Sequence, residues 1–419
     1  MNQKTLPIIL LNIVNGIGGT LLIPVLPFVI RDLGYSDAIF GLLMAVYPIF
    51  QFFGAPILGA MSDYYGRKPV LLISQAGTLL SWVIFAVSYF ATGALWPLLI
   101  IAFSRVVDGI TGGNQSVANA YLADVTTDEE RTNVFGILGA SMAVALMIGP
   151  ALGSFVSAGS IGYLGAAIFA IILSAVTWIA MFFMLTESLT EENRSESLDI
   201  NPFHQLNLVG KIRNLVHVRS LTRLFTVRAI FNLVFGSYST VIVLWYADQL
   251  DLNQTQVGLM LLAVGVFLII NELLLLPFFE KRFGDLGTLI AGFAITPIGL
   301  LLIRFPTSVW VFLPMVYILI LGAALTFPTI QSVITKVADE RQEGEVQGID
   351  TSVGALFSAI APIMGGFLYT QIGGNTFIVL SVLAVIGCIF LFESRTVIDE
   401  ELPHPEILPE AKVRDQWMA

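Results

Sequence analysis

Charge is scarce in this chain. Of its 419 residues only 12% are Asp, Glu, Lys or Arg, against about 25% in an ordinary soluble domain. Hydrophobic residues make up 56%, more than an aqueous fold could bury, so lipid is the solvent for most of the chain. Cysteine is nearly missing: Cys388 is alone. That excludes an intrachain disulfide and a metal centre built on several thiolates. Cys388 lies in an apolar run and reads as a small buried hydrophobe. The three histidines, His204, His217 and His404, fall in polar segments and form no cluster, so no metal site is expected. The net charge is −10 and no basic stripe is present, which argues against nucleic acid as a partner. The glycine-rich "GITGG" (Gly109–Gly113) lacks the Lys and Ser/Thr of a phosphate loop. No GxSxG, HExxH or paired-cysteine pattern occurs either. Neither ATP drive nor enzyme chemistry is expected, and no cofactor.

What is there is a series of apolar segments about 20 residues long, the length that spans a bilayer. They cover 6–30, 39–61, 69–90, 96–119, 134–158, 161–186, 222–247, 255–279, 287–304, 309–332, 346–371 and 374–393. The first is too long for a signal-peptide core and has no clear cleavage site, so it reads as a membrane span. Runs this continuously apolar lack the alternation of a barrel and predict an all-α integral membrane protein with twelve helices. Placing both termini in the cytoplasm puts all of the 20 Lys and Arg except Arg31, Arg105 and Arg304 on or near that side. The short loops suit a bacterial inner membrane, and a monomer is expected.

The longest internal polar stretch, 187–221, opens "ESLTEENRSESLDINPF" and divides the chain into six plus six spans. The expected organisation is a bundle over 1–186, a cytoplasmic linker over 187–221 with a surface helix around 204–219, a second bundle over 222–393, and a cytoplasmic tail over 394–419. The halves repeat each other. "VFGILGASMAVALMIGPALGSF" from Val134 matches "VQGIDTSVGALFSAIAPIMGGF" from Val346, with Gly136, Pro150, Gly153 and Phe155 on Gly348, Pro362, Gly365 and Phe367 at constant offset. "FFEKRFGDLG" (Phe278–Gly287) echoes "AMSDYYGRKP" at the corresponding junction. Such repeats predict a transporter with its site between the halves.

Polar residues inside the spans are the candidate working parts. Arg105 and Asp108 lie near mid-membrane, where a charge costs at least ~2.5–3.5 kcal/mol. Their i, i+3 spacing puts both on one helix face. Gly112, Gln115 and Asn119 extend that face, so one side of span four must meet a cavity or a partner helix. Asp108 is either the proton-responsive group or the partner that keeps Arg105 satisfied; a static ion pair is the plain alternative. Asn12, Asn15 and Gly19 share a face of span one, for a substrate or for bonds across helices. Asn232, Ser239 and Tyr246 recur at i, i+7 and i+14 in span seven, with Trp245 and Asp248 near its outer end. Asn271 and Glu272 lie within span eight. Glu272 is a second candidate proton site, or faces water near the interface. Gln331 and Asp350, near span ends, read as gate or loop residues. In "GAMSDYYGRKPV" (Gly59–Val70), Gly59 is read as allowing close helix approach. Asp63 can pair with Arg67 and Lys68, and Gly66 allows a tight turn. Asp124 and Arg131 join that ionic cluster. In span five, Gly136, Gly139, Gly149 and Gly153 permit close packing, and Pro150 bends the helix.

"GAMSDYYGRKPV", "AFSRVVDGITGGNQSVANAYLADVTTDEER" and "GILGASMAVALMIGPALGSF" resemble signatures of the major facilitator superfamily and its drug:proton antiporters. "GIGGTLLIPVLP" (Gly16–Pro27) resembles the first span of the tetracycline-efflux branch. The resemblance covers nearly the whole chain. It implies two pseudo-symmetric six-helix bundles, export of small amphipathic drugs against protons by alternating access, a gate at Asp63–Arg67, a proton-transfer role for Arg105, and an antiport helix at span five. One departure stands out. That branch carries an acid nine residues before the first proline of "PVLP", where this chain has Asn15. Either Asp108 takes over the acid's role, or the substrate or the coupling differs. A metabolite or siderophore carrier of the same fold is the second reading.

Overall fold

The computed structural model describes residues 5–195, 197–198, 201, 219–338 and 343–402. Among these, ten helical stretches are long and apolar enough to cross a membrane, and two of them, Gln254–Leu302 and Gly348–Glu400, have 49 and 53 residues. At 1.5 Å per residue each of those is long enough for two crossings of a ~30 Å core. Both turn back at a glycine with positive φ, Gly284 (69°) and Gly373 (53°). The twelve crossings expected from the sequence are therefore present. The expected surface helix at 204–219 and all three histidines lie outside the described residues, apart from Arg219 at the start of α9 below.

The N-terminal half comprises α1 (Leu6–Leu21), α2 (Leu26–Asp32), α3 (Asp37–Tyr65), α4 (Arg67–Val87), α5 (Leu95–Gly112), α6 (Gln115–Val125), α7 (Asp128–Ser157) and α8 (Tyr163–Met184). The C-terminal half comprises α9 (Arg219–Gln249), α10 (Gln254–Ile270), α11 (Leu276–Leu302), α12 (Val309–Val337), α13 (Glu343–Ile372) and α14 (Thr376–Glu401). Two expected single spans are broken. The first divides into α1 and α2 around Pro24, whose ring leaves the helix without a donor. The fourth divides into α5 and α6 at Gly113–Asn114. A π-turn, Asn271–Leu275, joins α10 to α11.

Glycines set how closely α5 lies on α3. A Cβ on Gly109 would come within 2.6 Å of the Tyr47 carbonyl, and one on Gly113 within 2.5 Å of the Ala55 nitrogen. "GITGG" is thus a seam between two helix backbones. The span-five glycines divide in two. Gly149 and Gly153 abut α1 at Ile17 and Leu21, whereas Gly136 and Gly139 face open space. Close packing expected at all four holds only for the pair beside Pro150. Pro150 also offers its carbonyl side to Gly258 of α10, so α7 lies between α1 and the C-terminal half. Gly59 is a second correction: nothing stands within 4 Å of its would-be Cβ, and it borders a pocket rather than a helix contact.

Candidate functional site

Most of the contact between the halves is made by two helix pairs, α3 with α13 and α7 with α10, with a smaller contact of α3 on α9. In the first, Gly41 meets Pro362 and Gly366 backbone to backbone. Just beyond, Arg31 at the end of α2 ties the halves together. Its Nε and Nη2 donate to Asp37 at 2.8 and 2.9 Å. Its Nη1 and Nη2 donate to Asp248 of α9 at 2.6 and 2.9 Å. The Tyr369 hydroxyl on α13 donates to Asp248 at 2.8 Å. Every guanidinium nitrogen is engaged, in the fork geometry that makes Arg–carboxylate pairs strong. The sequence reading left this latch out, although Arg31 stood apart as one of the few basic residues on the minority side.

The opposite end is tied within each half. Arg67 pairs with Asp63, as expected, and with Asp124 at 3.4 Å. Gly66 caps α3 at φ 103°, the conformation its place in the turn required. The unexpected member is Glu187. Its carboxylate accepts the backbone N–H groups of Arg67 (2.8 Å) and Lys68 (3.2 Å), so an anion sits on the positive end of α4. Lys68 donates to the Leu185 carbonyl at 2.5 Å rather than to Asp63. Arg131 lies in α7, with its side chain outside the described set. A Cβ on Gly66 would stand 2.8 Å from the Glu187 carboxyl carbon as well as straining the backbone. Gly66→Val should therefore lower stability by on the order of 1–3 kcal/mol, read as a lower thermal-unfolding midpoint of the purified protein. In the C-terminal half Gly284 and the Lys336–Asp285 pair repeat this corner. Arg228 and Asp350 lie 3.5 Å apart, with Gln331 also 3.5 Å from Arg228. Asp350 is only 2% exposed, inside α13, and is not a loop residue.

Between the latch and these corners lies a cavity of about 250 Å³, lined from both halves. Leu22, Phe40 and Met44 supply apolar wall; Tyr47, Ser239 and Thr240 supply hydroxyls. Arg105 also lines it. Its Nη1 is 3.1 Å from Asp108, with both side chains buried. The guanidinium lies over the Trp82 ring, 4.8 Å from the centroid, and near Phe85 at 5.8 Å. The hydroxyls of Ser81 and Thr78 on α4 face Asp108. Sequence spacing brought Arg105 and Asp108 together, and the structure adds the aromatic platform.

The other polar residues divide by partner. Gln115 donates to Asn119 at 3.1 Å beyond the α5–α6 break, so the polar face of span four is interrupted. Asn15 donates to Asn114 (2.9 Å), which donates to Ser74 (2.7 Å), linking α1, the break and α4. Asn114, fully buried at that break, was missed; a lone Asn after two glycines in a span was its signal. Asn114→Ala leaves the Asn15 amide without its acceptor, while Ser74 keeps its bond to the Leu71 carbonyl. It should cost about 1–3 kcal/mol, measurable as reduced thermal stability with the cavity residues untouched. Asn12 donates to the Leu138 carbonyl (2.8 Å) and to Ser141 (3.0 Å), clamping α1 to α7 away from the cavity. Gly19 of the same expected face does line it. In α9 only Ser239 of the expected triplet reaches the cavity; Asn232 faces Gly354 of α13. Tyr246 is buried against Phe312 and Trp245. A straight helix drifts by about 20° per heptad, which turns the third member of an i, i+7, i+14 series off its face. Asn271 is fully buried in the π-turn, while Glu272 beside it is half-buried.

Twelve crossings in two related halves around a shared cavity are the architecture of a membrane solute carrier, not of an enzyme. The Major Facilitator Superfamily profile matches residues 8–362 and, in a second match, 224–418. The chain belongs to the major facilitator superfamily. It is 32% identical over 360 residues to the class C tetracycline resistance protein of Escherichia coli, covering 85% of this chain and 87% of that protein. It is 30% identical to the class H protein of Pasteurella multocida, covering 88% and 90%. Among solved structures it resembles the human organic anion transporter MFSD10 (TM-score 0.69, 22% identity, 93% of this chain and 99% of that one). It also resembles a bacterial homologue of Spinster in an inward-facing, occupied conformation (TM-score 0.75, 14% identity, 96% and 98%).

Proposed function

We propose that this carrier exports small amphipathic molecules in exchange for protons, by alternating access. The observation that carries the reading is the Arg105–Asp108 pair, buried at a cavity that both halves line. Asp108 is the group that takes and gives up the proton. Losing its charge removes the attraction that holds Arg105 Nη1, and so changes the balance between the two arrangements of the halves. Asp63, Arg67, Asp124 and Glu187 form the cytoplasmic corner, with both termini on that side of a bacterial inner membrane, and the Arg31 latch closes the outer face. The tetracycline resistance relatives support export of drug-like molecules. Glu272 is a secondary proton site, and the protein works as a monomer. One proton entering down 100 mV supplies about 2.3 kcal/mol, enough for roughly a 50-fold gradient of a neutral cargo.

The test is a substrate panel in proteoliposomes with an imposed pH gradient. Tetracycline and other amphipathic drugs on the panel should accumulate in the parent protein's vesicles, and an uncoupler should abolish the accumulation. Asn15, where the tetracycline-efflux branch carries an acid, favours a second reading, a metabolite carrier. Gradient-driven movement of a hydroxy acid or a sugar, with every drug idle, would establish it.

The latch adds a prediction of its own. Asp248→Asn removes the charge that joins Arg31 to α9 and leaves the Asp37 contacts. Exposed ion pairs contribute about 0.2–1 kcal/mol. The variant should therefore open the outer face a few-fold more often, read as faster labelling of a cysteine placed at Ser36.

A further inference from the structure

We infer that the cavity selects cargo bearing an anionic oxygen group, held side-on by Nε and Nη2 of Arg105. This rests on the reading of the cavity as the cargo site and adds the chemical class of what enters it. Among the described residues that line the cavity, Arg105 is the one that carries charge, and no Asp or Glu is among them. Asp108 engages Nη1. Nε and Nη2, the two nitrogens that form the side-on fork of a guanidinium, are buried and have no hydrogen-bond partner. A carboxylate or phenolate oxygen pair matches that fork in spacing and charge. The guanidinium carbon lies over the Trp82 ring, 4.8 Å from its centroid, a contact that holds the charge in place while Nε and Nη2 remain without an acceptor. Asn15 fits the same picture. Its amide is engaged with Asn114, and α1 brings no carboxylate to hold a cation. The apolar wall accepts the rest of an amphipathic molecule, and the Tyr47 hydroxyl, which accepts from Gln51 at 3.2 Å, keeps a proton for one of its further oxygens, whereas Ser239 and Thr240 donate to carbonyls of their own helix.

The arrangement gives the proton a second effect. Asp108 and the cargo anion share one guanidinium, through different nitrogens. Neutralising Asp108 leaves Arg105 with an unopposed charge that holds the anion more tightly, so proton and anion bind together and an anionic cargo would travel with the proton, the opposite sense from the exchange proposed above for a neutral cargo.

The experiment measures equilibrium binding of naphthoate and of its neutral isostere naphthamide to the full-length protein in detergent at neutral pH, where naphthoate is ionised. The parent protein should bind naphthoate at least roughly tenfold more tightly than naphthamide. Arg105→Gln should weaken naphthoate at least roughly tenfold and naphthamide, which offers the fork only a neutral carbonyl, far less, bringing the two within about twofold, with an unaltered thermal-unfolding midpoint showing that the variant is folded. If Arg105→Gln fails to fold, Asp108→Asn decides: it should tighten naphthoate severalfold and leave naphthamide alone. Equal binding of the two probes by the parent, no binding of either, or a preference that survives Arg105→Gln overturns the proposal. The outcome is independent of coupling. A carboxylate preference that persists in a protein showing no proton-driven transport would keep this inference and remove the antiport reading.

Discussion

Asp108→Asn should abolish proton-driven accumulation and spare exchange. Asparagine keeps the volume of the side chain and an acceptor for Arg105 Nη1. It cannot carry a proton on and off. The gradient that one proton supports, roughly 50-fold per 100 mV, should fall to background, while counterflow between vesicles and medium at equal pH stays within a few-fold of the parent. The variant leaves a buried guanidinium without its counter-charge, a change that costs about 3–5 kcal/mol where nothing compensates. Here the Trp82 face, worth about 2 kcal/mol in a desolvated site, offsets part of it. A lower thermal midpoint is therefore expected alongside intact exchange. Accumulation that survives the substitution would assign the proton to another group, with Glu272→Gln the next variant to measure.

Gly41→Val should stop the cycle from the other side. A Cβ at Gly41 would stand 2.9 Å from the Gly366 Cα and closer still to the Pro362 carbonyl. Both obstacles are backbone, so neither can swing away. Overpacking of this kind costs about 1–3 kcal/mol, and here it falls on the arrangement in which α3 and α13 touch. Populations shift by roughly 5- to 150-fold toward the arrangement in which they separate. Transport should fall at least about tenfold with the protein still folded. A cysteine at Ser358, in a Cys388→Ser background, should react faster with an impermeant maleimide added on the Arg31 face. Unaltered labelling and unaltered transport would mean that the Gly41–Gly366 contact plays no part in closure.

Much of this was legible in the sequence because the bilayer enforces it. A run of about 20 apolar residues has one stable form in lipid, so the spans could be read directly, and so could the repeat of Pro150 and Gly153 in Pro362 and Gly365. Arg105 and Asp108 stood out because charge at mid-membrane demands a reason. Three kinds of feature escaped. The latch joins Arg31 to Asp248, 217 positions apart, and each alone reads as a surface charge. Side-chain direction was lost where helices break. The interruption at Gly113–Asn114 rotates Gln115 and Asn119 off the Arg105 face, and the sequence pattern assumes one unbroken helix. Glu187 looked like the first residue of a polar linker, whereas its place at the start of α4 depends on how α8 ends. Tyr246 and Asn12 show the same limit from the other direction: a polar residue on an inward face is as readily bonded to a neighbouring helix as offered to a cavity.

The most direct test of the central claim is transport by the parent protein in proteoliposomes with an imposed pH gradient. The account predicts that an amphipathic cargo accumulates on the side from which protons leave, that the gradient dissipates faster when cargo is present, and that an uncoupler abolishes both. Cargo that equilibrates without accumulating, at the same rate with and without the gradient, would contradict it.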